Sequence, residues 1–157
     1  MKNVLARNEV KSFITLWRER HKGKQIIFTN GCFDLLHVGH IRYLSEARAL
    51  GDFLFVGLNS DSSVRKLKGC HRPIQNENDR AEILSSLKPV DVTCIFSEET
   101  PLELIKQVRP DVLVKGGDWK KENIVGSEFV ESYGGKILSL QFVDGKSTTS
   151  LILKSKT

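Results

Sequence analysis

The chain has 157 residues, 39% of them hydrophobic and 27% charged, a balance that suits one soluble globular domain around a single core. No apolar run approaches the ~18–20 residues that cross a bilayer, and the N-terminus lacks the apolar stretch of a signal peptide. The three cysteines, Cys32, Cys70 and Cys94, are too far apart for a zinc site or a disulfide frame, so they read as free thiols in the cytoplasm, while the net charge of +5 admits nucleic acid or a small anion as partner.

From the N-terminus, Val10, Phe13, Ile14 and Trp17 keep helical spacing and Asn8 is a fair N-cap, so a helix is expected over residues 8–20, stopped by Gly23. Residues 1–23 read as a helical extension of one domain covering 1–157, with Phe13 and Trp17 serving either the core or an interface. A first strand over 25–28 runs into Thr29-Asn30-Gly31-Cys32-Phe33-Asp34-Leu35-Leu36-His37-Val38-Gly39-His40. A helix follows over 38–50 and ends at Gly51. The continuous apolar run over 53–58 reads as a strand buried on both faces. Asn59-Ser60-Asp61 then turns into a short helix, followed by the basic loop Arg65-Lys66-Leu67-Lys68-Gly69-Cys70-His71-Arg72.

A helix is expected over 77–87, halted before Pro89, and a strand over 90–96. Thr100-Pro101-Leu102-Glu103 has the pattern of a capping box with proline at the first helical position. That helix ends before Pro110. A strand over 111–115, the loop Gly116-Gly117-Asp118-Trp119, a helix near 127–133, a strand over 136–142 and a helix from Ser147 complete the series. Strands alternating with helices throughout argue for a single-domain α/β fold: a Rossmann-like, doubly wound sheet of five parallel strands with right-handed crossovers. Ligands of such sheets bind beyond the carboxyl ends of the strands, near the point where the strand order reverses. The polar, glycine-rich segments all follow strands and so converge on that rim. They bring Asn30, Asn59, Asp61, Gly117 and the turn Ser147-Thr148-Thr149 to one place.

The histidines of His37-Val38-Gly39-His40 flank a glycine where a helix should begin. A helix N-terminus has unpaired N–H groups and a positive dipole end, and it suits polyphosphate. Imidazoles three residues apart share a helix face, so both can donate to one anion, and Gly39 lets a ligand approach the backbone. A pair of histidines capping a buried helix end is the plainer alternative. Preceded by Gly31-Cys32-Phe33-Asp34 and set between a strand and a helix, the segment resembles the H-x-G-H signature of the nucleotidyltransferase superfamily.

The remaining polar residues fit that resemblance to different degrees. Lys66, Lys68 and Arg72 read as phosphate ligands, with a solvated basic loop as the alternative. Arg80 stands near a helix start, against the dipole, and a ligand phosphate explains it better than helix stability does. Asp34 reads as structural, holding its loop. Asp118 could accept from a ribose hydroxyl or the base, Trp119 is either core or a stacking platform, and Ser147, Thr148 and Thr149 are N-caps or phosphate contacts. The chain has no P-loop, no G-x-S-x-G elbow and no H-E-x-x-H. A phosphate ester attacking a nucleoside triphosphate brings its own ionised oxygen, so it needs in-line placement and positive charge rather than a protein nucleophile.

The likeness extends further. Residues 28–37, Leu58-Asn59-Ser60-Asp61, Lys66-Leu67-Lys68-Gly69, Arg72-Pro73-Ile74, Asp79-Arg80-Ala81, residues 109–119 and Gly145-Lys146-Ser147-Thr148-Thr149 resemble the adenylyltransferases of ADP-heptose synthesis, from about Lys24 onward. In that family the domain is often fused to a sugar kinase; this chain reads as a stand-alone version. The resemblance implies transfer of AMP from ATP, with Mg²⁺, to D-glycero-manno-heptose 1-phosphate for lipopolysaccharide or another surface glycan. It implies a homodimer with small-molecule substrates, and neither nucleic acid nor membrane as partner. By motif position it implies catalytic roles for His37, His40, Lys66 and Arg80. Nucleotide contacts are implied at Asn30, Gly31, Cys32, Phe33, Gly39, Asn59, Asp61, Gly117, Asp118, Ser147, Thr148 and Thr149, and substrate-phosphate contacts at Lys68 and Arg72; no protein ligand to a metal is implied. Glycerol-phosphate cytidylyltransferases share much of this pattern, but typically carry Arg-Thr where this chain has Phe142-Val143 and threonine in place of Cys32. A guanylyl-transferring heptose enzyme would look nearly the same.

Overall fold

The computed structural model describes residues 3–141. Six parallel strands make one sheet: β1 (Val4–Leu5), β2 (Ile26–Gly31), β3 (Phe53–Asn59), β4 (Val92–Phe96), β5 (Val112–Gly116) and β6 (Lys136–Leu140). Their order across the sheet is β1-β4-β3-β2-β5-β6. The five expected strands are all present, and the sixth is a correction. β1 pairs only with β4, setting Val4 opposite Thr93 and Leu5 opposite Cys94. Two residues are too few to show the alternation by which a strand is recognised in a sequence.

Alternation along each strand sends side chains to two different layers. Phe53 and Phe55 join Ile26, Phe28 and Leu113 under α1 (Val10–Arg20), α5 (Leu102–Val108) and α6 (Ser127–Glu131). Leu54, Val56 and Leu58 join Ile27, Val112 and Val114 under α2 (Val38–Ala49) and α4 (Glu77–Ser85). α3 (Asp61–Lys68) continues from β3. All seven residues of β3 are buried, because the strand is covered on both faces.

α1 is part of this core. Val10 and Ile14 are buried, and Phe13 and Trp17 pack against the same cluster, Trp17 with its ring 4.8 Å from that of Phe53. Two capping expectations fail. Asn8 lies inside a short 3₁₀ turn (Arg7–Glu9), and α1 begins after Glu9 with no side-chain cap. α5 begins after Pro101, which stands outside the helix, and Thr100 makes no capping bond.

The chain winds outward from β2 through β3 to β4, then crosses back to place β5 and β6 on the other side of β2. The strand order therefore reverses between β2 and β5, where a crevice opens at the carboxyl ends. No helix among the described residues is long and apolar enough to cross a membrane. The expected helix from Ser147, with Phe142, Val143, Ser147, Thr148 and Thr149, lies outside the described residues.

Candidate active site

The histidine pair sits at the start of α2, the helix that follows β2, in an arrangement its spacing did not reveal. His37 is the N-cap, and its Nδ1 accepts from the Gly39 N–H at 3.1 Å. The His40 Nδ1 accepts in turn from the His37 N–H at 3.3 Å. The imidazoles thus form a reciprocal cap, with ring centroids 3.9 Å apart. Two of the helix-end N–H groups expected to meet phosphate directly are already satisfied by the rings. An imidazole whose Nδ1 accepts carries its proton on Nε2, so each ring keeps one N–H as a side-chain donor. Burial, helped by the His37 ring, pulls the His40 pKa down to about 4, so it is a neutral donor at neutral pH.

Phe33 braces this pair. It is buried, adopts a positive φ of 42°, and meets the His40 ring edge-on at 5.4 Å. A Cβ on Gly31 would come within 2.9 Å of the Phe33 ring, which accounts for glycine there. Behind the loop, the Thr29 hydroxyl and Tyr43 hydroxyl share a buried hydrogen bond of 2.6 Å. Burial, against the pull of that bond, pushes the Tyr43 hydroxyl up to about 12.

The corner after β3 departs from expectation. Arg80 is 1% exposed and donates from Nε to the Gln75 carbonyl, from Nη1 to the Cys32 and Asn59 carbonyls, and from Nη2 to Asp61 Oδ1 at 2.7 Å. These acceptors account for its place near the start of α4. Asn59 and Asp61 are committed to the same framework. The buried Asn59 amide donates to Ser63 Oγ, and the Asp61 N–H donates to Glu77 Oε2.

Asp34 holds the next loop, as expected. It is 1% exposed and accepts from the Ile74 and Gln75 N–H groups and from Arg72 Nε at 2.6 Å. Burial would raise its pKa, but the Gln75 and Ile74 N–H groups and the Arg72 guanidinium outweigh it and hold the carboxyl below its ordinary range. Arg72 is therefore anchored through Nε. Lys66 and Lys68, in the last turn of α3, are exposed with no ion pair among the described residues.

Beyond β5, Gly117 takes a φ of 107° and its N–H donates to the Leu140 carbonyl. Asp118 is exposed, and Trp119, 46% exposed, is no core residue. The crevice between β2 and β5 is a cavity of about 120 Å³ lined by Asn30, Pro101, Leu113, Lys115, Trp119, Asn123, Ile124 and Val125. Lys115 was absent from the residues expected at the site. The signal for it was a lone charge closing the apolar run Val112-Leu113-Val114 just before the double glycine. A larger apolar depression of about 340 Å³ lies along Val4, Leu5, Ala6 and Ile95 at the sheet edge and brings no ionisable group but Arg7, which is bonded to Glu98.

The signature loop, the basic residues and the crevice fall within one matched region, because the cytidylyltransferase-like family model covers residues 28–143. The chain belongs to the cytidylyltransferase-like family. It is a nucleotidyltransferase. It is 59% identical over 139 residues to the bifunctional protein HldE of Geotalea uraniireducens, covering 88% of this chain and 28% of that one. With HldE of Wolinella succinogenes it shares 49% identity over 151 residues, covering 96% of this chain and 31% of that one. The chain thus spans less than a third of the length of these relatives. The crystal structure of a lipopolysaccharide core biosynthesis protein from Thermoplasma volcanium superposes with a TM-score of 0.64 at 30% identity, covering 79% of this chain and all of that one. Pantoate-beta-alanine ligase from Francisella tularensis, at 15% identity and a TM-score of 0.61, shares the fold over 98% of this chain and 77% of its own.

Within the family's reaction, the described residues contain no group of three His, Cys, Asp or Glu side chains able to hold a metal ion. Asp34 and Asp61 already take guanidinium partners.

Proposed function

We propose that the chain transfers AMP from ATP, entering with Mg²⁺ as its counter-ion, to D-glycero-manno-heptose 1-phosphate. An oxygen of the sugar phosphate attacks the α-phosphorus. The bond from that phosphorus to the β-phosphate bridging oxygen breaks, and pyrophosphate leaves with the electron pair. ADP-heptose is the other product, an activated sugar for a surface glycan.

The observation that carries this reading is the reciprocal imidazole cap at the start of α2, beside the reversal of strand order. An imidazole pair held there supplies N–H donors for the charge that develops on a phosphate, which is what this chemistry requires of a protein. Each donor's Nδ1 already accepts a backbone N–H, which polarises the ring and strengthens the Nε2 donor. Lys66 supplies positive charge for the departing pyrophosphate, and Lys68, with Arg72, meets the phosphate of the sugar. Arg80 acts one step back: by gripping the Cys32 and Asn59 carbonyls it fixes the signature loop relative to β3. Asp118 accepts from ribose or base, and Ser147, Thr148 and Thr149 are assigned to the nucleotide by their motif alone.

The choice of adenine and heptose rests on the resemblance of residues 28–37 and 109–119 to adenylyltransferases of ADP-heptose synthesis, and on Cys32 where glycerol-phosphate cytidylyltransferases carry threonine. Pyrophosphate release tests it, with ATP, GTP, CTP and UTP each offered against both anomers of the heptose 1-phosphate and against glycerol 3-phosphate. Turnover is expected with ATP and a heptose 1-phosphate. CTP-dependent turnover with glycerol 3-phosphate would overturn the assignment.

A further inference from the structure

We propose that Lys115 binds the phosphate of the acceptor, from the side of the sheet opposite the histidines, and so sets the line of attack on the nucleotide. The inference rests on the nucleotidyl-transfer reading above and adds to it a residue and a direction.

Lys115 ends β5 at the reversal of strand order. β2 and β5 run in register with Ile27 opposite Val112 and Phe28 opposite Leu113, so the pairing carried forward sets Asn30 beside Lys115. Both line the crevice, together with Leu113 and Trp119. The ammonium is half-buried, yet it has no hydrogen bond or ion pair among the described residues. The contact found is with the face of Trp119, 5.8 Å from the ring centroid. A lysine that leaves bulk water without gaining a carboxylate or a carbonyl is uncompensated. Burial accordingly pulls the Lys115 pKa below its ordinary value; the Cys32 sulfur opposes this and the Lys68 charge adds to it.

The surrounding charges sharpen the point. Lys68, Arg80, Arg72 and Lys115 all act on the Cys32 sulfur. Arg72 and Arg80 have carboxylate partners in Asp34 and Asp61. Lys68 and Lys115 have none among the described residues, and they repel each other. Two ammonium groups converging on one loop without a counter-charge are stabilised by an anion bound between them. The Asn30 amide, unbonded among the described residues, adds an uncharged donor at the same place.

Direction then separates the acceptor from the nucleotide. Leu113 packs under α1 and α5, and Lys115, two residues on, shares its face of the sheet. α2, which carries the histidines, lies on the other face. In-line displacement puts the attacking oxygen and the leaving pyrophosphate on opposite sides of the α-phosphorus. If the imidazoles take the leaving side, the attacking phosphate arrives from the Lys115 side.

Steady-state kinetics on the wild-type chain, Lys115→Met and Lys115→Arg test this, varying ATP and heptose 1-phosphate in turn. Methionine keeps the stem packed over Trp119, and an unchanged Tm confirms the fold. Loss of one charge-assisted contact is expected to raise KM for the sugar phosphate roughly tenfold to a hundredfold, leave KM for ATP within about twofold, and be partly restored by arginine. A raised KM for ATP with the sugar-phosphate KM unchanged, or no change in either, would overturn the proposal. If the wild-type chain fails to turn over heptose 1-phosphate, the functional reading falls by itself. The lysine is then judged by calorimetric titration with inorganic phosphate in the presence of a non-hydrolysable ATP analogue. Weaker binding to Lys115→Met than to wild type supports it, and equal binding ends it.

Discussion

The loops that leave β2 and β3 hold the same place in the fold: each follows a strand at the carboxyl rim and leads into a helix. In the structure they differ. After β2, Asp34 is turned inward, but the two imidazoles each take a backbone N–H on Nδ1 and keep the proton on Nε2. After β3, the polar groups are turned on one another. Asn59, Asp61 and Ser63 are joined through Arg80 and through each other, and the guanidinium is the largest fully buried side chain of the described residues. Position on the rim brings a residue near the ligand; whether its partners are already inside the protein decides what it does there. The difference follows from topology, since β2 borders the reversal of strand order and β3 lies one strand away from it.

The largest test of this contrast is kinetic. His40→Ala removes a side-chain donor, and turnover measured by pyrophosphate release is expected to fall about 10²–10³-fold while circular dichroism stays native. Near-normal turnover would leave the imidazole as a helix cap alone and erase the contrast. Arg80→Met should show the opposite balance. It strands Asp61 and three carbonyls in the interior, and unfolding in denaturant should show a loss of about 3–5 kcal/mol, a large share of the stability of a typical domain. Arg80→Lys should recover little, because one ammonium cannot reproduce a fork spanning four acceptors. A variant of full stability but poor turnover would instead turn Arg80 toward the substrate.

How much of this was readable beforehand depends on how local the cause is. The five long strands, the helix starting at Val38 and the convergence on one rim follow from periodicity and chain order, which a sequence displays directly. β1 was invisible because two residues carry no period. The internal partners of Arg80 are not readable in sequence because they lie 5, 19, 21 and 48 positions away along the chain. The dipole argument, which sees only the residue's own helix, had no access to them. Asp34 was judged correctly as a loop holder, though its partners near position 74 were equally distant. Lys115 was missed for the converse reason, because what marks it is a missing partner, which only a structure can reveal.

A smaller effect concerns protons. The His40 pKa is about 4 in the fold, against about 6.5 in an unfolded chain. Between those values the unfolded state binds the proton first, so this residue's contribution is fully present above pH 6.5 and is lost as pH falls toward 4. Chemical shifts of the ring protons should therefore show no titration near pH 6.5 in the free protein. Adding ATP should move the midpoint upward, since a polyanion beside the ring favours its charged form. A midpoint near 6.5 without ligand would mean that the ring is solvated and not held in the cap.

The smallest effect separates a cap that exists from one that only has the right letters. Ser60 precedes α3, and its hydroxyl accepts from the Ser63 N–H at 3.2 Å. Thr100 precedes α5 in the sequence pattern of a capping box, but Pro101 intervenes as the last residue outside the helix and no side chain closes on the first turn. Ser60→Ala should therefore cost about 1 kcal/mol in denaturant unfolding, whereas Thr100→Ala should stay within about 0.5 kcal/mol of wild type. Equal losses would mean that Thr100 caps α5 in solution. The proline explains why the pattern misleads: with its ring fixing φ and no N–H to offer, it holds the position where the threonine hydroxyl would otherwise reach the helix. The same four letters thus mark the start of a helix without making its cap.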